Sequence, residues 1–191
     1  MKVIDRKSLW KGKFLETISI SYQDHNGVLR EWEAVNRLNV KGIVIIIPIT
    51  EKKEVILIKQ FRPALDKYVI ELPAGLVESK EDHMTAGKRE LIEETGYSSE
   101  DISLLTDGVM STGINTEQWK IILAQNVRKV SREVLAEYPS DDNEDIEVIK
   151  VPLDTIYADM ENFKENGVEI DLRIYGLLEL AKRKIRSLGD S

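Results

Sequence analysis

Two apolar runs near the middle of the chain limit its architecture more than any other feature. Residues 42–49, GIVIIIPI, and 54–61, EVILIKQF, are rich in Ile and Val and are separated by the polar stretch TEKKE. β-Branched side chains favour the pleated conformation, and short apolar runs bounded by polar residues read as strands of a core. Neither run approaches the roughly 20 residues that a bilayer-spanning helix needs.

Further elements flank these two strands. Residues 15–22, LETISISY, alternate like a strand, DHNG at 24–27 supplies turn chemistry, and VLREWEA follows as a second strand, so a hairpin over about 15–36 is expected. Strands are also expected at 69–73, 119–125 and 145–151. Helices are expected at 83–95, 153–164 and 171–187, with Met84 and Leu91 seven apart on the first and Gly96 placed as its C-terminal cap. The last helix puts Ile174, Leu177, Leu178, Ala181 and Ile185 on one stripe, as a helix packed on a sheet would. YPSDDNE, at 138–144, reads as a loop. Strands and helices mix without regular alternation, so the expectation is an α+β fold: a mixed β-sheet sandwiched between helices, preceded by an N-terminal antiparallel β-hairpin element over 1–38.

A chain of 191 residues with 42% hydrophobic content can bury one substantial domain, and two full domains are not expected. With 34 acidic and 27 basic residues, a net charge of -7 disfavours nucleic acid as a partner. A phosphate-bearing substrate would need local cations or a metal. The absence of cysteine excludes disulfides, thiolate catalysis and zinc-thiolate sites. The first residues, MKVIDRKSLWKGK, lack the apolar core of a signal peptide. A soluble, cytoplasmic protein without a membrane partner is therefore expected.

The chemistry concentrates in residues 75–97, GLVESKEDHMTAGKRELIEETGY. On a helix, Glu90, Glu93 and Glu94 stand at i, i+3 and i+4 and share one face. Like charges at that spacing cost about 0.2–0.5 kcal/mol per pair unless neutralised. Mg²⁺ would neutralise them, because it takes carboxylate oxygens together with substrate phosphate oxygens and keeps several waters. A Glu-Glu pair by itself is most often a solvated helix face; the surrounding pattern decides otherwise.

That pattern resembles the Nudix box: Gly, five residues, Glu, seven residues, Arg-Glu, an apolar residue, any residue, Glu-Glu, any residue, Gly and an apolar residue. Gly75, Glu81, Arg89, Glu90, Leu91, Glu93, Glu94, Gly96 and Tyr97 fill every slot. A chance match is on the order of one in 10⁸ per window, given typical residue usage. The resemblance implies a Nudix fold and a pyrophosphohydrolase in which Glu90 and Glu94 bind the metal, Mg²⁺ with Mn²⁺ as a substitute. It further implies that Glu93 shares the metal or holds its water, that the Ala74 carbonyl is a ligand, and that Arg89 fixes the helix against the preceding loop. Gly75 is implied as the turn residue that brings that loop near the metal.

Flanking segments resemble the ADP-ribose pyrophosphatase branch of that family: KQFRPALDKYVIELPAGL at 59–76 and WEAVNR at 32–37. This likeness implies that Arg37 and Arg62 grip the diphosphate or terminal phosphate side, a role suited to the planar guanidinium fork. It implies that Trp32 and Phe14 stack the base between aromatics of two subunits, hence a homodimer. SDDNEDIEV at 140–148 resembles the branch's second acidic element, which makes Glu144 a candidate both to complete the metal site and to orient the attacking water, with Asp145 and Glu147 as substitutes. Where the branch commonly has Ser-Pro-Gly after the box, this chain reads Ser111-Thr112-Gly113. The implied reaction is hydrolysis of a nucleoside diphosphate sugar, foremost ADP-ribose to AMP and ribose 5-phosphate. GDP-mannose or UDP-glucose as substrate, and a non-catalytic nucleotide-binding Nudix domain, are the alternatives.

Overall fold

The computed structural model describes residues 1–139 and 145–189. Three strands come first, β1 (Lys2–Lys11), β2 (Leu15–Gln23) and β3 (Leu29–Arg37), joined as an antiparallel sheet in the order β1-β2-β3. The apolar runs follow as β4 (Gly42–Ile49) and β5 (Glu54–Arg62), then β6 (Lys67–Glu71), β7 (Ala74–Val77) and helix α1 (His83–Thr95). After these come β8 (Tyr97–Ser98), β9 (Asp101–Gly108), β10 (Trp119–Gln125), β11 (Arg128–Lys129) and α2 (Arg132–Glu137). The chain closes with β12 (Ile146–Pro152), α3 (Ile156–Glu165), β13 (Glu169–Ile170) and α4 (Arg173–Gly189).

The central sheet runs β13-β6-β5-β4-β10-β9, with β12 paired to β5 and β7 to β4. It is mixed, because β10 lies parallel to β4 and β13 parallel to β6 while the other pairs are antiparallel. Successive residues of β4 serve opposite layers, which is why the run is continuously apolar. Ile45 and Ile47 pack with Leu57, Leu123, Ile156, Ile174 and Leu178 beneath α3 and α4. Val44 and Ile46 pack with Ile56, Leu91 and Ile122 beneath α1. Each such side chain contributes about 1.5–3 kcal/mol relative to exposure.

β4 and β5 pair at Ile49–Val55 and then diverge, β4 pairing with β7 over 42–45 while β5 pairs with β6 and β12. The Ile46 N–H donates to the Pro73 carbonyl at 2.8 Å, so the chain at 73–77 lies in the opening between them. That opening puts the loop before α1 against the helix. Asp82 caps α1 by accepting from the Thr85 N–H at 2.8 Å, and Gly96 ends it at φ +69°, a left-handed conformation that glycine adopts without strain.

The expected mixed sheet between helices is present, and several elements depart from the sequence expectation. The N-terminal hairpin is a three-stranded sheet, because β1 adds antiparallel to β2. Periodicity is silent there because all ten residues of β1 are exposed, so no buried face imposes an alternation. β9 and α2 likewise lie outside the expectation: β9 buries none of its eight residues fully, and α2 spans six residues with none buried. The strand expected at 69–73 covers 67–71 and a second, β7, follows Pro73, which has no N–H for a ladder. Among the described residues no helix is long and apolar enough to cross a membrane.

The N-terminal sheet joins the core through residues 111–117. Trp32 Nε1 donates to the Gly113 carbonyl at 3.0 Å, the Val35 N–H to the Ile114 carbonyl at 2.7 Å, and Thr116 Oγ1 to Asn36 Oδ1 at 2.6 Å.

Candidate active site

α1 carries its three carboxylates toward the loop at 74–78. The approach is closest at Gly75, where an added Cβ would fall 1.8 Å from the Glu90 carboxyl carbon, so any larger residue there would displace the Glu90 side chain. Glu94 is buried, and its Oε2 accepts the Ala74 N–H at 2.9 Å. Loop and helix are therefore tied by backbone as well as side chains.

Arg89 organises the acidic face. Its Nη1 donates to Glu90 Oε1 at 2.8 Å and to Glu93 Oε2 at 2.7 Å; its Nη2 donates to Glu81 Oε1 at 2.7 Å and to the Leu76 carbonyl at 3.1 Å. Glu81 also accepts the Glu78 N–H at 3.0 Å. The Arg89 hydrogen bonds, aided by that N–H, hold the Glu81 carboxyl below its ordinary range despite partial burial. The same contacts, Glu81 first, bind the proton of Arg89 more firmly than in a free guanidinium. Four charges thus form one network in which a single cation offsets three anions, leaving the face net negative.

Ala74, Gly75, Glu90 and Glu93 line one cleft of about 1070 Å³. Arginines stand around the same cleft, each held by a carboxylate that is itself largely buried. Arg62 reaches Glu71 through Nε at 2.6 Å and again through Nη2. Arg37 Nε donates to Glu117 Oε1 at 2.6 Å. Arg173 is held by Asp171, with Nε donating at 2.7 and 2.8 Å, and its guanidinium lies 4.7 Å from the Trp119 ring centre. The cleft carries both signs of charge, with carboxylates from Glu71, Glu78, Glu90 and Glu93 and guanidinium groups from Arg37, Arg62, Arg89 and Arg173.

The structure brings Ala74, Glu90, Glu93, Arg89, Arg37 and Arg62 to this cleft. It does not bring Trp32 or Phe14 to it: both are exposed on the N-terminal sheet and its turn, 50% and 67% respectively, and neither lines the cleft of its own chain. Glu144 lies outside the described residues. Asp145 and Glu147 are described, and Glu147 pairs with Lys59 at 2.9 Å. Sequence reasoning missed Glu71, Glu117, Asp171, Trp119 and Arg173. Glu71 sits inside the ELPAG segment and had a signal; Glu117, 80 residues from Arg37, had none.

Among the described residues no three acidic or histidine side chains already surround one point in metal-holding geometry. Glu90 and Glu93 turn instead to Arg89, and Glu94 to the Ala74 N–H. The donors nevertheless fit a hard cation: they are all oxygens, they share a face with a net negative charge, and Gly75 leaves the backbone in contact with Glu90.

The model of the NUDIX domain matches residues 40–169, and the chain belongs to the Nudix hydrolase family. Its relatives include an uncharacterised Nudix hydrolase of Schizosaccharomyces pombe, 34% identical over 169 residues, covering 85% of this chain and 82% of that one. The ADP-ribose pyrophosphatase of Saccharomyces cerevisiae is 33% identical over 183 residues, 87% of this chain and 76% of the relative. The fold matches the crystal structure of an ADP compounds hydrolase with a TM-score of 0.78 over 100% of this chain and 96% of that one, at 20% identity.

Proposed function

We propose that this enzyme hydrolyses the diphosphate of a nucleoside diphosphate sugar, ADP-ribose foremost, to AMP and ribose 5-phosphate, with Mg²⁺ as its metal. The observation that carries the reading is the single cleft in which the α1 carboxylates meet Arg37 and Arg62. An acidic face alone would repel a diphosphate; an acidic face bordered by guanidinium groups accepts one once a cation is present. The names of the yeast relative and of similar proteins in mouse and Bacillus subtilis, ADP-ribose or ADP-sugar pyrophosphatases, support the substrate class.

Glu90, Glu94 and the Ala74 carbonyl would hold the metal, which when bound neutralises non-bridging oxygens and acidifies a water. The chain's own residues do the rest. Among the described residues Arg37 commits only Nε, to Glu117, so its two terminal nitrogens present a fork to phosphate oxygens. Arg89 keeps Glu90 and Glu93 in register with the loop. Glu144 is the candidate to take the proton from the attacking water, and Glu93 the candidate to hold that water. Attack of the water oxygen on one phosphorus breaks the bridging P–O bond and yields two phosphomonoesters.

Assembly belongs to the same reading. The N-terminal sheet exposes Trp10, Phe14, Leu29 and Trp32 by half or more, and a small sheet with so little burial needs a cover. A twofold homodimer, with an interface above roughly 2,000 Å², supplies it and lets Trp32 and Phe14 of different subunits flank one base.

A substrate panel with mass identification of both phosphorylated products tests the reading. ADP-ribose should show the highest kcat/KM and yield AMP and ribose 5-phosphate. Faster cleavage of GDP-mannose or UDP-glucose would move the substrate assignment, and no cleavage of any of them would leave a nucleotide-binding domain.

A further inference from the structure

Arg173 is held on two sides, by the Asp171 carboxylate and by the Trp119 ring. Asp171 takes its Nε–Nη2 edge, and the Asp171 carboxylate is itself positioned by the Arg173 N–H at 3.0 Å and by the Asp171 N–H bonded to the Ile70 carbonyl of β6. The guanidinium plane rests on Trp119, whose strand is paired with β4 at Ile43. Three elements, β6, β10 and α4, therefore fix one side chain that still leaves 31% of its surface open. Nη1 is its one nitrogen without a protein partner among the described residues, and Arg173 lines the cleft.

This arrangement suits a particular ligand group. As in Arg62, whose Nε–Nη2 edge is held by Glu71, that edge of Arg173 is occupied, and the positive charge is largely compensated by Asp171. What remains is a rigid pair of N–H donors on one nitrogen, aimed without further loss of side-chain freedom. Such a donor matches a neutral acceptor oxygen better than a phosphate, which Arg37 meets with its whole terminal fork.

The geometry points to Arg173 as a specificity-determining residue that donates from Nη1 to the hydroxyls of the sugar remote from the base. The inference rests on the nucleoside diphosphate sugar reading above. It gives two arginines of the cleft different roles, Arg37 serving the diphosphate while Arg173 reads what is attached beyond it.

A comparison of ADP-ribose with the β-methyl ester of ADP, which keeps base and diphosphate but lacks the second sugar, tests this in wild type and in Arg173→Met. Methionine retains an apolar stem for Trp119 and removes the donors. The ratio of kcat/KM for ADP-ribose to that for the methyl ester should fall roughly tenfold to a hundredfold, the loss expected for one hydrogen bond from a charged donor. Asp171→Asn should lower the same ratio less, because it loosens Arg173 without deleting it. If Arg173→Met does not fold, Arg173→Leu, which also removes the donors, decides by the same ratio. An unchanged ratio, whether both activities fall together or neither falls, overturns the assignment while leaving the parent reading intact. A wild-type enzyme that cleaves neither compound overturns both.

Discussion

All eight residues of β4 are buried, whereas all ten of β1 are exposed. The two strands belong to sheets of one chain, yet one is locked by packing on both faces and the other by its hydrogen-bond ladder to β2 alone. Only Ile18 and Ala34 of the whole N-terminal sheet join the buried core residues. The difference teaches where the free energy of this fold resides. The central sheet with α1, α3 and α4 is stabilised by its own apolar contacts, so it can hold a cluster of mutually repelling carboxylates in place. The N-terminal sheet is tied down by the 111–117 segment and by polar bonds, which leaves a face for another surface to cover.

The sharpest attack on this comparison falls on the core side. Glu94→Gln changes charge but not shape, and the amide oxygen can still accept the Ala74 N–H. Turnover should fall by at least about a thousandfold, since metal stabilisation of the transition state is a matter of several kcal/mol. The melting temperature should move by no more than about 3 °C, within the shift of a sub-kcal/mol change. Activity above a tenth of wild type at saturating Mg²⁺ would remove Glu94 from the metal site.

Removing the N-terminal sheet probes the opposite side. Deletion of residues 1–38 should yield a monomer by light scattering, with KM for ADP-ribose raised by about tenfold or more, while far-UV circular dichroism retains the helical signal of α1, α3 and α4. The expected loss corresponds to roughly 1.4 kcal/mol or more of substrate binding. A full-length protein that is monomeric at micromolar concentration and fully active would show that each chain completes its own site.

The smallest effect concerns acid stability. Glu81 is held below its ordinary pKa by Arg89, so its contribution is present above the unfolded value of about 4.5 and is lost as pH falls through the lower folded value. Melting temperatures recorded from pH 6 to pH 3 should therefore drop less steeply below about pH 4.5 in Glu81→Gln than in wild type. Parallel curves would mean that the network around Arg89 carries no proton-linked stability. Equal sensitivity in a variant confined to the N-terminal sheet would erase the contrast between the two regions.

Legibility from sequence followed burial. β4, β5, β10 and α4 were readable because a buried face forces an apolar pattern, and α1 because its carboxylate spacing and Gly96 lie within a few residues. β1, β9 and α2 were unreadable for the converse reason, since an element that buries no residue fully leaves little periodic signature. The site divided in the same way. Glu81, Arg89, Glu90, Glu93 and Glu94 are local to one motif, and its spacing alone places Glu90, Glu93 and Glu94 on one helix face. Trp119 and Arg173, 54 residues apart on different elements, meet only because β10 and the start of α4 are brought to one cleft.

The sequence by itself determined the family and the carboxylate face of α1, because a motif and helix geometry depend on residues near one another in the chain. Tertiary structure alone decided that Arg37 pairs with Glu117, Arg62 with Glu71, and Arg173 with Asp171 and Trp119, so that three carboxylate-held guanidinium groups line the cleft that Glu90 and Glu93 also line. It also decided that Trp32 and Phe14 stay away from the cleft of their own chain. Side-chain spacing along a helix is set by the repeat of the backbone, whereas contacts between distant strands are set by how the whole core packs, and no local pattern encodes that.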